Sequence, residues 1–344
     1  MTTQYESDAR PPQAVSRVGL YLPSGLLLMV ALAWSGFWFY ASRMAERGMG
    51  DWIIAEAAAG RSWTCADQAI GGFPFRIELR CASVSLATFA EGKPVQMRLG
   101  GLTALTQIYS PKLVLADLTA PFTIESDGVS SSLTWEGLRA SIRFAGQAQR
   151  LSLAATQPRL NWRDGAGIAY DVEAKAAEFH LRTDSERPAE ERAIDLAVSL
   201  LEARLPAADA FSGGKDKVTL ELSGAATQAL QLSAQSARLM LEAWRSNGGS
   251  LVIDAAKISK GNLQVDAKGR LGLDAARRVQ GELNVAAKGL APLLMRNGGG
   301  NMNPMIGALL ERPDGSAVPW PARLQDGRIS IGPFRSGQIL TPLY

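Results

Sequence analysis

Residues 263–273 read Leu-Gln-Val-Asp-Ala-Lys-Gly-Arg-Leu-Gly-Leu. In an extended chain Leu263, Val265, Ala267, Leu271 and Leu273 share one side, and Gln264, Asp266, Lys268 and Arg270 share the other. Strand side chains alternate with a period of two, so this is a strand with one dry and one wet face, the pattern of an antiparallel sheet. A turn-like Arg278-Val279-Gln280-Gly281 follows, and Leu283 and Val285 resume the alternation. The rhythm spreads outward from there. Ile77, Leu79 and Cys81 keep it, as do Val95, Met97 and Leu99. So do Ala140, Ile142 and Phe144, then Ile194, Leu196, Val198 and Leu200, then Val218, Leu220 and Leu222. Residues 322–334 return to it. Asp127-Gly128, Asp164-Gly165, Gly213-Gly214, Lys260-Gly261, Asp314-Gly315 and Asp326-Gly327 punctuate these runs at hairpin distances.

Two stretches depart from the strand period. Residues 226–246 have helical spacing, and Asn247-Gly248-Gly249 supplies a C-terminal cap. Residues 291–311, around Gly298-Gly299-Gly300, read as two short helices.

At the other end of the chain, Val18 to Ser42 is a run of 25 residues without a charge, bracketed by Arg17 and Arg43. A bilayer-spanning helix needs about 20 mostly apolar residues. Trp34, Trp38 and Tyr40 gather at its C-terminal end, where an aromatic belt sits. The alternatives are a cleaved signal peptide, for which the apolar run is too long, and a buried soluble helix, which is rarely apolar all round. Met44–Gly60 continues as a helix. The flanking charges barely choose an orientation; the short tail, the cysteine pair and the strand-rich remainder favour the N-terminus inside and the bulk outside.

The reading is therefore mainly β with some α: one transmembrane helix, then an extended, curled antiparallel sheet with a few packed helices. Its divisions are a cytoplasmic tail 1–17, the transmembrane helix 18–42, a connecting helix 43–62, a β-rich subdomain 63–185 and a second one, 186–344, containing the 226–246 helix. The polar run 182–192 marks the boundary.

The 344 residues are 47% hydrophobic and 20% charged, enough to bury a core, and the formal net charge of +3 points to neither nucleic acid nor an acidic substrate. Cys65 and Cys81, with fifteen residues between them, are either a disulfide of the oxidising compartment or two reduced thiols; two cysteines alone make no structural zinc site. His180 is the only histidine, and there is no G-x-S-x-G elbow, P-loop or G-x-G-x-x-G opening a helix. The pair Glu190-Glu191 sits in a charged run. No catalytic residue, metal or cofactor is expected. Trp63, Trp135, Trp162 and Trp244 read as packing residues.

One local motif is distinctive: Trp63, Cys65, Gly72-Phe73-Pro74-Phe75-Arg76 and Cys81. The five-residue run reads as a rigid lead into a strand, with Pro74 at the start where its missing N–H is tolerated. The cysteine pair would staple that strand to the segment before it. Further marks are Trp244, Gly248-Gly249-Ser250-Leu251, Gly261-Asn262-Leu263, Gly269 to Asp274, Gly281-Glu282-Leu283 and Asp326 to Pro333. With these the chain, over about residues 20–335, resembles the domain-of-unknown-function 2125 family of Gram-negative envelope proteins. Its second half is similar to the broader AsmA-like class, in which one anchor precedes long sheets curled into apolar grooves and linked with lipid movement. The resemblance implies an inner-membrane protein with a periplasmic domain and supplies no catalytic residues.

Three functions follow. The first is binding of lipid or another hydrophobe, with Leu263, Val265, Leu271, Leu273, Leu283 and Val285 as lining residues; the bland reading of the same six is a closed core against the 226–246 helix. The second is a non-catalytic assembly partner of another envelope protein. The third, a hydrolase, requires a polar cleft around His180 or a perturbed carboxylate. The partners expected are the membrane, a lipid and an envelope protein, and no nucleic acid.

Overall fold

A single helix, α1 (Val18–Ala58), runs unbroken through the uncharged segment and the amphipathic stretch behind it. Pro23 is the sixth residue of this helix, so its missing N–H leaves the Gly19 carbonyl without its i+4 donor close to the helix start. The computed structural model describes residues 18–90, 92–145, 148–163, 169–183, 186–206, 209, 214–229, 237–289, 317–331 and 334–344. Along α1, residues 21–33 are all exposed, whereas Trp34, Trp38, Ala41, Ala45, Met49, Ile53 and Glu56 form a covered stripe. Their spacing of three and four puts them on one helix face. The first part of the helix is thus free, and the rest leans on the sheet.

The described strands, in chain order, are β1 (Ser62–Ala66), β2 (Ala69–Gly71), β3 (Arg76–Cys81), β4 (Ser83–Ala90), β5 (Lys93–Gln107), β6 (Ser110–Ser126), β7 (Val129–Thr134), β8 (Gly137–Ala145), β9 (Ala148–Thr156) and β10 (Arg159–Arg163). They continue as β11 (Ala169–Glu173), β12 (Ala176–Thr183), β13 (Ile194–Ala203), β14 (Val218–Ala226), β15 (Leu251–Lys260), β16 (Leu263–Leu273), β17 (Val279–Lys288), β18 (Pro319–Gln325), β19 (Arg328–Ile331) and β20 (Phe334–Ile339). All pairings among them are antiparallel.

The long β5–β6 hairpin is where the sheet forks. Near its turn, β5 is flanked by β3 and β6 by β8; near its open end, β5 is flanked by β4 and β6 by β7. The register slips between Leu99 and Gly101 at the branch. A Cβ on Gly100 would lie 2.3 Å from the carbonyl oxygen of Ala120, so only glycine permits the two backbones to cross so closely. One branch is a short arm, β1-β4-β5-β6-β7-β10-β11. The other is the main sheet, β2-β3-β5-β6-β8-β9-β12, after which each strand pairs with the next in sequence through β20. The sheet does not close. Cys65 of β1 and Cys81 of β3 form a disulfide with a Cα–Cα distance of 5.2 Å, stapling the arm to the main sheet. The expected boundary at 185/186 falls between β12 and β13, which pair over eight residues from Ala176↔Leu201 to Thr183↔Ile194.

Asp127-Gly128 and Asp326-Gly327 turn two hairpins with positive φ at both residues, the primed geometry that fits twisted strands. A second helix, α2 (Ala237–Ser246), is shorter than the helix expected over 226–246. Ala226 instead closes β14, paired with Leu251, and residues 230–236 lie outside the described residues, as do 291–311. The cap is as expected: Gly248 N–H reaches Arg245 O at 3.0 Å and Gly249 N–H reaches Trp244 O at 2.8 Å, a Schellman pair.

The chain's end is tied to α2 through Glu242. This carboxylate accepts from Arg245 at 2.5 Å, Tyr344 Oη at 2.9 Å and Arg277 Nε at 3.1 Å. These donors, Arg245 foremost, lower its pKa from 4.5 to about 2. A group whose pKa is depressed on folding stabilises above its unfolded value and loses that contribution as pH falls. The 340–344 tail is therefore expected to loosen from α2 between pH 4.5 and about 2. Hydrogen exchange of the tail amides reads this directly. Glu242→Gln should show the loosened tail already at neutral pH, and identical exchange in both proteins would refute the tie.

Candidate functional site

Register places the predicted lining residues. Val265 opposes Ala287, Leu271 opposes Gly281, Leu273 opposes Val279, and Leu283 opposes Gly269 and Ala322. Opposed residues of antiparallel strands point to the same face. Leu263, Val265, Leu271, Leu273, Leu283 and Val285 are all half-buried on one side, while Gln264, Asp266, Lys268 and Arg270 are exposed on the other.

That apolar side extends well beyond those six residues. One cross-strand row runs Ile70, Leu79, Ala104, Ala116, Ala140, Leu153, Phe179, Val198, Leu222, Ala256, Ala267, Val285, Trp320. The row beside it starts at Ile77, passes Ile142, Leu151, Leu181, Leu196 and Leu283, and ends at Ile331. The next starts at Cys81 and passes Leu102, Leu118, Leu200, Leu220 and Ile258. No charged residue interrupts any of the three. On the opposite face, a single row carries Arg80, Asp117, Arg139, Glu178, Glu221, Lys257 and Asp266.

Among the described residues no large side chain is fully buried. The most covered apolar positions are mainly alanines, such as Ala203, Ala225, Ala193 and Ala322. Ile258 and Ile331, both on the apolar face, are 39% exposed. In the described structure, then, the apolar face is not sealed into a core of large side chains.

At one end of this face the sheet meets α1. Residues Gly72–Phe75 make the turn between β2 and β3, and the strand begins at Arg76. Trp34 Nε1 donates to Pro74 O and Trp38 Nε1 to Arg76 O, each at 2.8 Å. Phe73 meets Trp38 edge-on at 5.4 Å and lies 6.1 Å from Phe39; Phe75 lies 6.1 Å from Trp34. Trp38 is 6% exposed, the one large aromatic among the buried residues described. Farther along α1, Glu56 takes both Nε and Nη2 of Arg61 at 2.6 and 2.7 Å and the indole N–H of Trp63 at 3.2 Å. Trp52 packs on Trp63 at 5.5 Å. Just past the turn, Glu78 is buried and pairs with Arg76 at 3.0 Å and with Arg80.

The charged face holds an open cleft lined by Arg150, Ser152, His180, Arg182, Asp195 and Asp254, among others. His180 Nε2 lies 3.3 Å from Glu178, Arg182 binds Asp195 at 2.6 Å, and Arg187 reaches Asp254 at 3.9 Å. Among the described residues no group of three or more His, Cys, Asp or Glu is placed to hold a metal ion.

A family model described as an uncharacterized protein conserved in bacteria, DUF2125, matches residues 38–339, most of the chain. The chain belongs to the DUF2125 family. No curated protein and no solved structure matches it, so these comparisons give no support to an AsmA-like likeness of its second half. The match in this DUF2125 chain opens at Trp38 and takes in the whole Trp63-to-Cys81 motif. The structure gives that motif one place: Trp63 and Phe73 to Arg76 grip α1, and Cys65 and Cys81 close the fork behind them. From sequence alone the tryptophans on the helix side of that grip read as an aromatic belt. Their spacing of four, which puts both indoles on one helix face, was the available signal.

Proposed function

We propose that this DUF2125 chain is a single-pass envelope protein that holds the acyl chains of lipids against the apolar face of its main sheet and carries out no reaction of its own. The observation behind this is the uncharged row from Ile70 to Trp320, which crosses thirteen strands. At a strand spacing of about 4.8 Å that is a track of roughly 58 Å. A contiguous apolar surface of that size left half-covered marks a site for a hydrophobe, a membrane or a partner. The helix α1 is long and apolar enough to cross a membrane. In this reading residues 18–42 cross the inner membrane, residues 1–17 stay in the cytoplasm, and the sheet stands in the periplasm. The Cys65–Cys81 disulfide supports the oxidising side.

Mass spectrometry of the full chain purified in mild detergent is expected to find co-purified phospholipid. Leu222 sits mid-track between Val198 and Ala256, so Leu222→Glu should strip most of that lipid while the sheet stays folded. A lipid-free wild-type preparation would end the reading.

The assembly-partner reading draws on a different feature, the β10–β11 arm. All of β10 is exposed, and Trp162 and Tyr170 stack at 5.0 Å on its surface. A reproducible cross-link from position 162 to a second envelope protein, with Leu222→Glu silent, supports that reading over lipid binding.

A further inference from the structure

We propose that the Gly72–Phe75 turn is inserted into the periplasmic leaflet of the bilayer, so that the apolar face of the sheet starts at the lipid rather than above it. This rests on the reading of α1 as the membrane-spanning helix and goes beyond it by assigning a second membrane contact to the β-domain.

The argument is one of length. The part of α1 ahead of Trp34, residues 18–33, is sixteen residues, or about 24 Å at 1.5 Å per residue. The hydrocarbon core is about 30 Å thick and takes about 20 helical residues. A helix that spans it from Val18 therefore carries the core to the level of Phe37, past the point where Trp34 has already docked on Pro74. Whatever faces α1 at Trp34 and Trp38 lies at the same depth, and what faces it is the turn.

The turn is chemically suited to that depth. Phe73 and Phe75 are 52% and 60% exposed, and Phe37, Phe39 and Tyr40 beside them are exposed too, so one aromatic collar surrounds the helix. Irregular backbone is tolerated at membrane depth only when its polar groups are satisfied. Here the carbonyl of Gly72 accepts from Arg76 N at 3.1 Å and that of Phe75 from Ile108 N at 3.1 Å. The carbonyls of Pro74 and Arg76 take the two indoles, and Pro74 has no N–H to satisfy. The first charges after the turn, Arg76 and Glu78, are paired with each other. Ile77, which begins one of the three apolar rows, and Leu79, the second member of another, follow immediately.

The test uses the full chain in vesicles of phosphatidylethanolamine and phosphatidylglycerol. Phe73→Cys and Phe75→Cys are made separately and labelled with an environment-sensitive fluorophore; the native cysteines stay unreactive while their disulfide persists, and that persistence also reports folding for each variant. Both labels are expected to shift to the blue and to be quenched several-fold more by lipids spin-labelled near the top of the acyl chain than a label at Phe89→Cys, an exposed position on β4. Labels at 73 and 75 that behave like the one at 89 overturn the proposal. Leu28→Cys, about halfway through the span and read with lipids spin-labelled near the end of the acyl chain, separates the two failures. Quenching at 28 without quenching at 73 and 75 removes the inserted turn alone, and no quenching at 28 removes the membrane-spanning helix with it.

Discussion

Trp38→Ala is expected to destabilise the junction by about 3–5 kcal/mol, the range for removing a buried tryptophan. The side chain is almost fully covered, packs edge-on against Phe73 and next to Phe39, and donates its indole N–H to Arg76 O at 2.8 Å. Truncation removes both the ring contacts and the partner of a backbone carbonyl where a β-strand begins. The β2–β3 hairpin should come away from α1, visible as faster hydrogen exchange in residues 69–81 and as new protease sites around Phe73, with β14 to β17 unchanged. Trp38→Phe keeps most of the packing and loses one hydrogen bond, for a cost nearer 1 kcal/mol. A Trp38→Ala protein within about 0.5 kcal/mol of wild type would show that the grip contributes nothing.

The second large effect is expected at the fork. The Cys65–Cys81 bridge spans a sequence separation of 16, for which the chain-entropy model gives about 3 kcal/mol. Cys65→Ser should cost about that amount, a fall of roughly 5 °C in the midpoint of melting for a sheet of this size that melts as a unit. The effect should concentrate where β1 and β3 diverge. There, among the described residues, Ala82 N–H to Ala66 O at 2.8 Å remains as a direct link besides the β1–β4 ladder. Adding reductant to the wild type should reproduce the shift and should leave Cys65→Ser unaffected. A wild-type midpoint indifferent to reductant would show that the staple carries no load.

What could be read in advance was local. The alternation at 263–273 became β16 with the expected face half-buried and the other exposed, and Asp127-Gly128 and Asp326-Gly327 became hairpin turns, with positive φ at all four residues. What could not be read was partner choice. Asp127-Gly128 announces the β6–β7 hairpin, but nothing near β6 announces that its first half pairs with β8, because those partners lie 20 to 30 positions away in the chain. The helical spacing from 226 onward misled for a related reason. Gly224, Ala225 and Ala226 have low strand preference, yet ladder bonds to Val252 and its neighbours hold them extended. The six residues named from sequence share one face of β16 and β17, but the track across thirteen strands emerges only when register aligns one strand with the next.

Beyond β12, among the described strands, each pairs only with the one before and the one after it. An architecture assembled in this way has no preferred size. Inserting one more hairpin into the series would lengthen the molecule by about 10 Å, two inter-strand spacings, and would ask nothing of the helix or the fork at the far end. How far such a protein reaches from its anchor is thus set by how many hairpins its gene encodes.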